Sequence, residues 1–379
     1  MTSFLSSYER HCAALAEQGL LRQLPAATAP WRADFSSNDY LSLAQHPEVI
    51  EAAREAASRY GIGATGSRLL SGNSPLYEAF EARIAADKHA EAALILGSGY
   101  QTNATVLAAL INAKVLGAEP LVFTDRLNHA SLHHAFRVAG VRQIRFRHGS
   151  LEHLQELLSK QGDSTQPKFI VAETVFGMDG DCLDVPALVQ LARQHDAFLY
   201  LDEAHATGVM GEQGYGLTSA VGGDVDLAMG TFSKALGGSG AYIACKQAVK
   251  DYLINTCTGF IYSTALSPMV IAAMQKAWEL LPTLTAERER LTSMSRYLRD
   301  RLQAMGLDTG TSTTHIIPII LGDEARTLAA RDRLQAAGIN VSAVRPPTVP
   351  PHTARLRLAL CSHHTAQQID ALLDALQAA

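Results

Sequence analysis

The 379-residue chain reads as an α/β protein with a large domain on a mostly parallel central sheet and a small α+β C-terminal domain. Short apolar runs such as Ala93-Leu-Ile-Leu96, Leu121 to Asp125, Phe169 to Phe176 and Phe198 to Leu201 alternate with stretches of helical spacing, the rhythm of buried strands joined by helices. Polar side chains follow these runs: Asp202 and His205 after one, Thr231, Ser233 and Lys234 after another, which is where open α/β sheets place ligands. The last third changes character. A helical stretch from about Pro268 to Met305, broken near Pro282, leads to strand-like runs at His315 to Leu321, Asn340 to Val344 and Arg355 to Leu360. The expected division is an N-terminal helix and extended segment over 1–45, a large domain over 46–265, and a small domain over 266–379 that the N-terminal segment completes.

Composition narrows the function classes. A hydrophobic content of 47% supplies a large core, and a net charge of -5 argues against a nucleic-acid surface, which would be basic. The five cysteines are odd in number and show no C-x-x-C spacing, so neither a disulfide framework nor a structural zinc site is expected. The first residues lack a basic start followed by an apolar stretch, and no run approaches ~18 apolar residues, so the cytoplasm is the expected location.

In chain order, Phe4, Leu5, Tyr8, Cys12, Leu15 and Leu20 recur at helical spacing and lead to Arg22. Trp31 to Leu43 reads as extended chain, and Pro47 and Pro75 each open a helix, the second behind a Ser74 cap. Four glycines between Gly61 and Gly72 imply close backbone approach, at a spacing that matches neither G-x-x-x-x-G-K-[ST] nor G-x-G-x-x-G. After the run ending at Leu96, Ser98-Gly-Tyr100 turns into a helix, and free N–H groups at such a turn suit an anion. His129, His133 and His134 cluster near a helix start without a nearby acidic or cysteine ligand at zinc spacing. Asp202-Glu-Ala-His205 has the letters of a helicase motif but lacks the phosphate loop that such an enzyme needs. Between its apolar run and glycines 237, 238 and 240, Lys234 would be partly desolvated, which makes its amine a usable nucleophile or base.

An acid at the end of one strand and a lysine at the end of the next suit pyridoxal phosphate, which takes a lysine for its covalent attachment and a carboxylate against its pyridine nitrogen. Together Asn38-Asp-Tyr-Leu, Asp202-Glu-Ala-His, Thr231-Phe-Ser-Lys and Thr348-Val-Pro-Pro resemble the alpha-oxoamine synthase family of aminotransferase-like, fold-type I pyridoxal-phosphate enzymes, nearly end to end. The resemblance implies that Ser98, Gly99, Tyr100 and Thr231 hold the cofactor phosphate, His129 stacks on its ring and contacts substrate, Asp202 faces the pyridine nitrogen, and His205 meets the phenolic oxygen. It makes Lys234, His129 and Asp202 the catalytic residues. Arg357 would grip the amino-acid carboxylate, while Arg22 and Thr348 would meet the acyl substrate. Many members carry serine where this chain has Gly177, which removes one cofactor contact.

The resemblance also implies a homodimer, with the Gly61 to Gly72 loop and Phe260 to Thr264 reaching the neighbouring subunit, and no metal, nucleic-acid or membrane partner. Within the family the short N-terminus, Arg22 and the Arg345-Pro-Pro-Thr-Val-Pro-Pro351 loop look most like the members that condense L-alanine with a pimeloyl thioester in biotin synthesis. The rivals are members that use glycine or serine, such as the 2-amino-3-ketobutyrate and 5-aminolevulinate enzymes, and a cofactor-fold protein without catalysis.

Overall fold

A computed structural model describes residues 4–24, 31–162 and 164–377. They form two compact units: a larger one of residues 38–177 and 181–290, and a smaller one that joins the described part of 1–37 to 178–180 and 291–379.

The larger unit is built on a seven-stranded sheet in the spatial order Ala92–Leu96, Ala241–Cys245, Leu227–Thr231, Ala197–Asp202, Lys168–Glu173, Leu121–Asp125 and Gln143–Phe146. Only Ala241–Cys245 runs antiparallel to its neighbours. All but Gln143–Phe146 are almost wholly buried because both faces are covered. Their side chains divide by the period of two: Phe169 and Val171 enter one core cluster, Ile170 and Ala172 the other, and Tyr200 faces away from Leu199 and Leu201. Each fully buried Leu, Ile or Phe side chain contributes about 1.5–3 kcal/mol, so the two apolar layers fix the sheet between them. The strand Gln143–Phe146 was not legible in the sequence. It is a half-exposed edge strand of mixed composition without an apolar run.

The parallel strands end together. Asp125, Glu173, Asp202 and Thr231 are the last residues of their strands, and Glu173 stands opposite Asp202 in register. This single edge collects the polar residues that the sequence places after its apolar runs.

The expected long helical stretch is a helix Pro268–Leu280, a 3-10 turn Leu281–Thr283 at Pro282, and a helix Thr285–Ala304. The first of these packs on the helix Pro47–Tyr60, so the expected boundary at 265/266 falls inside the larger unit, which runs to Arg290.

In the smaller unit a three-stranded antiparallel sheet has Ala354–Ala359 between Ser342–Val344 and Ile316–Gly322. The expected strand Asn340 to Val344 is split between two sheets. Ile339–Asn340 pairs in parallel with Ala33–Asp34, and Ser342–Val344 joins the other sheet. No helix among the described residues is long and apolar enough to cross a membrane.

A buried ion pair supports the loop after Asp202. Lys88 Nζ bonds the Glu203 carboxylate and the Tyr215 carbonyl, and Glu203 Oε1 accepts the Thr218 N–H at 2.9 Å. Both side chains are essentially inaccessible. Replacing one partner leaves a buried charge uncompensated. Lys88→Ala is expected to cost roughly 3–5 kcal/mol in urea unfolding; a loss below about 1 kcal/mol would place the pair with ordinary surface pairs.

Candidate active site

Lys234 is carried on a turn that only glycine permits. The strand ends at Thr231, and the chain folds back through hydrogen bonds from Gly237 N to Lys234 O at 2.8 Å, Gly238 N to Phe232 O at 2.9 Å and Phe232 N to Gly240 O at 3.0 Å. Gly237 has φ +72°, and a Cβ there would lie 2.2 Å from Ala44 N. The half-buried Lys234 is thereby held with Nζ 2.8 Å from His205 Nε2.

The other side of His205 meets Tyr40: its Nδ1 is 2.8 Å from the phenol oxygen, and the phenol donates to Asn38 Oδ1 at 3.0 Å. With the phenol proton directed at Asn38, Nδ1–H donates to Tyr40 and Nε2 is left to accept from Lys234. Gly177 makes room for this ring, since a Cβ at 177 would lie 2.3 Å from His205 Nε2. The family's serine at this position would therefore collide with His205 as it stands.

Asp202 is 3% exposed and has a donor on each oxygen: Ala204 N reaches Oδ1 at 2.8 Å, and Asn103 Nδ2 reaches Oδ2 at 2.7 Å. Asn103 also donates to Ser131 Oγ at 2.9 Å and accepts from the Tyr200 hydroxyl at 2.8 Å. Ser131 Oγ in turn lies 2.7 Å from His129 Nδ1. Burial holds His129 below its ordinary pKa; the charge of Asp202 opposes the shift and that of Lys234 adds to it.

Glu173, buried beside them, accepts the His129 N–H. Burial, and then the charge of Asp202, push its carboxyl well above the usual range, while Lys234 and the His129 N–H pull the other way. Asn128 ties the Glu173 strand to its neighbour, accepting from Glu173 N at 3.2 Å and donating to Thr124 Oγ1 and the Val171 carbonyl at 2.8 Å each.

The expected phosphate residues also converge. Ser98 caps the helix Gly99–Leu110, accepting from Gln101 N at 3.3 Å, and a Cβ at Gly99 would lie 3.6 Å from Thr231 Oγ1. Thr231 Oγ1 is anchored on the Gly240 carbonyl at 2.9 Å and lies 2.8 Å from Ser233 Oγ. Tyr100 presents its ring edge-on to His129, with centroids 6.3 Å apart. Lys234, His205, Asp202, His129, Ser98, Gly99, Tyr100 and Thr231 all belong to the larger unit.

The remaining expected residues belong to the smaller unit. Arg22 Nη2 donates to Thr348 Oγ1 at 3.2 Å, and Arg357 is buried to 5% exposure within the strand Ala354–Ala359. Arg355, on the same strand, is held by Asp179 Oδ1 at 2.6 Å and the Thr353 carbonyl at 2.9 Å.

Sequence reasoning missed Tyr40, Asn103, Ser131 and Glu173 as site residues. Two left a signal. An asparagine three residues before the start of the apolar run Val106-Leu-Ala-Ala-Leu110 of the same helix is unfavourable there unless its amide is used, and a carboxylate ending a buried strand needs partners.

The family model for aminotransferase class I and II matches residues 33–376. The chain belongs to the class I and II aminotransferase family. It is 53% identical over 346 residues to a protein named 8-amino-7-oxononanoate synthase from Gluconacetobacter diazotrophicus, covering 91% of this chain and 87% of the relative. Among solved structures it is similar to a serine palmitoyltransferase variant from S. paucimobilis with PLP bound, at TM-score 0.90 and 28% identity over 99% of this chain and 98% of that one. It is likewise similar to 8-amino-7-oxononanoate synthase from Francisella tularensis, at TM-score 0.78 and 25% identity over 91% and 97% of the two chains.

Membership makes this chain a pyridoxal-phosphate-dependent enzyme of transferase type. The residues at the sheet edge fit that cofactor: an amine on a rigid turn, a buried carboxylate with each oxygen already holding one donor, an aromatic ring, and a helix start beside a threonine hydroxyl.

The loop that holds Gly177 is clamped by charge. His148 Nδ1 lies 3.0 Å from Asp125 Oδ1, and its Nε2 lies 3.0 Å from Asp181 Oδ2. Burial alone would lower the imidazole, but the two carboxylates outweigh it and raise its pKa from 6.5 to about 10. A raised pKa gives stability that is complete below the unfolded value and lost as pH rises through the folded one. Chemical denaturation is therefore expected to show stability falling between about pH 6.5 and 10 by a few kcal/mol. His148→Gln should flatten that slope, and an unchanged slope in the variant would remove His148 as its source.

Proposed function

We propose that the enzyme condenses L-alanine with a pimeloyl thioester to give 8-amino-7-oxononanoate, carbon dioxide and free thiol, for biotin synthesis. The name shared by relatives at about half identity supports this reading. The observation that carries it is a cleft of about 460 Å³ in the smaller unit, lined by Arg22, Arg331 and Arg345.

Arg345 is held below its ordinary pKa by burial and then by the charges of Arg331 and Arg22, so the cleft favours an anion. Guanidinium groups suit a terminal carboxylate, which a pimeloyl chain carries and a simple fatty acyl chain lacks. The structural likeness to a serine palmitoyltransferase raises a second reading, serine with a long acyl chain. A cleft with three arginines disfavours an uncharged acyl end.

The residues take the following roles. Arg357 grips the alanine carboxylate bidentately. Pyridoxal phosphate, when bound, supplies an electron sink for the carbanion at the alanine Cα. Asp202, positioned by Asn103 and Ala204, would face the pyridine nitrogen and favour its protonated form. Lys234 would hold the cofactor covalently in the resting enzyme and, as a free amine, takes the alpha proton, with His205 Nε2 holding that amine in place. The alanine Cα bonds to the thioester carbonyl carbon as the C–S bond breaks, the thiolate leaves and takes a proton from water, the alanine carboxylate leaves as carbon dioxide, and the proton held on Lys234 returns to Cα. Ser98, Gly99, Tyr100 and Thr231 would hold the cofactor phosphate, and His129 would stack on its ring. The enzyme works as a homodimer. The segments of residues 61–72 and 260–265 are joined by the Ala265 N to Gly66 O hydrogen bond and carry the exposed Ile62, Leu70 and Tyr262, apolar side chains that a second copy would cover.

Thiol release should occur with pimeloyl thioester and alanine, and be far weaker with glycine, serine or an uncharged heptanoyl thioester. Arg22→Leu should raise KM for the pimeloyl thioester about 10–100-fold, the range for losing a charged hydrogen bond of about 1.5–3 kcal/mol. Equal rates for heptanoyl and pimeloyl chains would overturn the acyl assignment. Lys234→Ala should abolish turnover, and full activity in a clean preparation would sink the mechanism.

A further inference from the structure

We propose that Asn103 is a positioning residue that imposes one direction on a buried chain of hydrogen bonds from Tyr200 to His129, and so holds His129 as the neutral tautomer protonated on Nε2.

Tyr200 is fully buried, and burial holds its phenol well above the ordinary value, so its hydroxyl donates. It donates to Asn103 Oδ1 at 2.8 Å. This fixes the amide: a flipped Asn103 would set an oxygen against the Asp202 oxygen 2.7 Å away, acceptor against acceptor. Both amide protons are then committed, one to Asp202 Oδ2 and one to Ser131 Oγ at 2.9 Å. Ser131 Oγ, having accepted, directs its own proton to His129 Nδ1 at 2.7 Å.

The Ser131 backbone N–H also points at Nδ1, at 3.3 Å. A protonated Nδ1 would face that N–H donor to donor. Nδ1 is therefore an acceptor, and the ring proton resides on Nε2. Burial of the imidazole acts in the same sense, against a second proton.

The chain links two groups that the mechanism uses separately. The side chain that orients the Asp202 carboxylate also decides which nitrogen of His129 is a donor. The nitrogen left to meet a ligand carries an N–H, which suits an oxygen on which negative charge develops.

Holoenzyme labelled with ¹⁵N-histidine tests this by solid-state ¹⁵N spectra near neutral pH, with His129→Gln identifying one of the 14 histidines by difference. Wild type should show His129 with a protonated Nε2 and a bare Nδ1. Asn103→Leu should mix the tautomers, weaken the cofactor at least about tenfold, and lower kcat more than KM for alanine. Ser131→Ala removes one atom from the same chain and should shift the His129 resonances; it serves if the larger change at position 103 prevents folding. A protonated Nδ1 in wild type, or unchanged His129 resonances in Ser131→Ala, would overturn the proposal. The spectra need no substrate, so they stand apart from the choice of acyl thioester.

Discussion

A charge placed where water cannot reach it governs this structure. Asp202 lies at the end of a strand buried on both faces, and a carboxylate there costs several kcal/mol unless donors replace the lost hydration. The loop supplies one donor from Ala204, and the helix Gly99–Leu110 supplies the other from Asn103. Because Asn103 must also be satisfied, Tyr200 and Ser131 are drawn in, and through Ser131 the ring of His129. The next residue, Glu203, carries a second buried carboxylate, compensated by Lys88 and Thr218. Two adjacent acids thus draw separate sets of donors and leave the loop between Asp202 and His205 little freedom.

Much of this was legible before any coordinates. The apolar runs gave the positions of most central strands because strands covered on both faces show no polar alternation. Lys234, Asp202 and His205 stood out because each follows such a run, and Lys234 also precedes glycines that the turn requires. The half-exposed edge strand at Gln143 was hidden, since its pairing with Leu121–Asp125 rather than its composition makes it a strand. So was the splitting of Asn340 to Val344 between two sheets, which depends on a partner near residue 33.

Within the site, sequence reasoning found residues whose chemistry is unusual for their setting and missed those whose role is to orient others. Tyr40, Asn103 and Ser131 are ordinary residue types at positions unremarkable by spacing. Their partners are 165, 99 and 28 residues away in the chain. Gly177 shows the converse. The departure from the family pattern was visible, but its reason, the His205 ring standing where a Cβ would go, exists only in three dimensions.

The pairing of Ala33–Asp34 with Ile339–Asn340 bears on how the chain is born. The larger unit is nearly continuous in sequence and can begin to fold while synthesis proceeds, whereas the smaller unit needs both ends. Its N-terminal strand leaves the ribosome about 300 residues before its partner, a delay on the order of tens of seconds at ordinary elongation rates. During that interval the first strand has an open edge, the kind of surface that invites wrong partners. Its two-residue length and the Asp34 carboxylate keep that edge short and charged until the C-terminal half arrives.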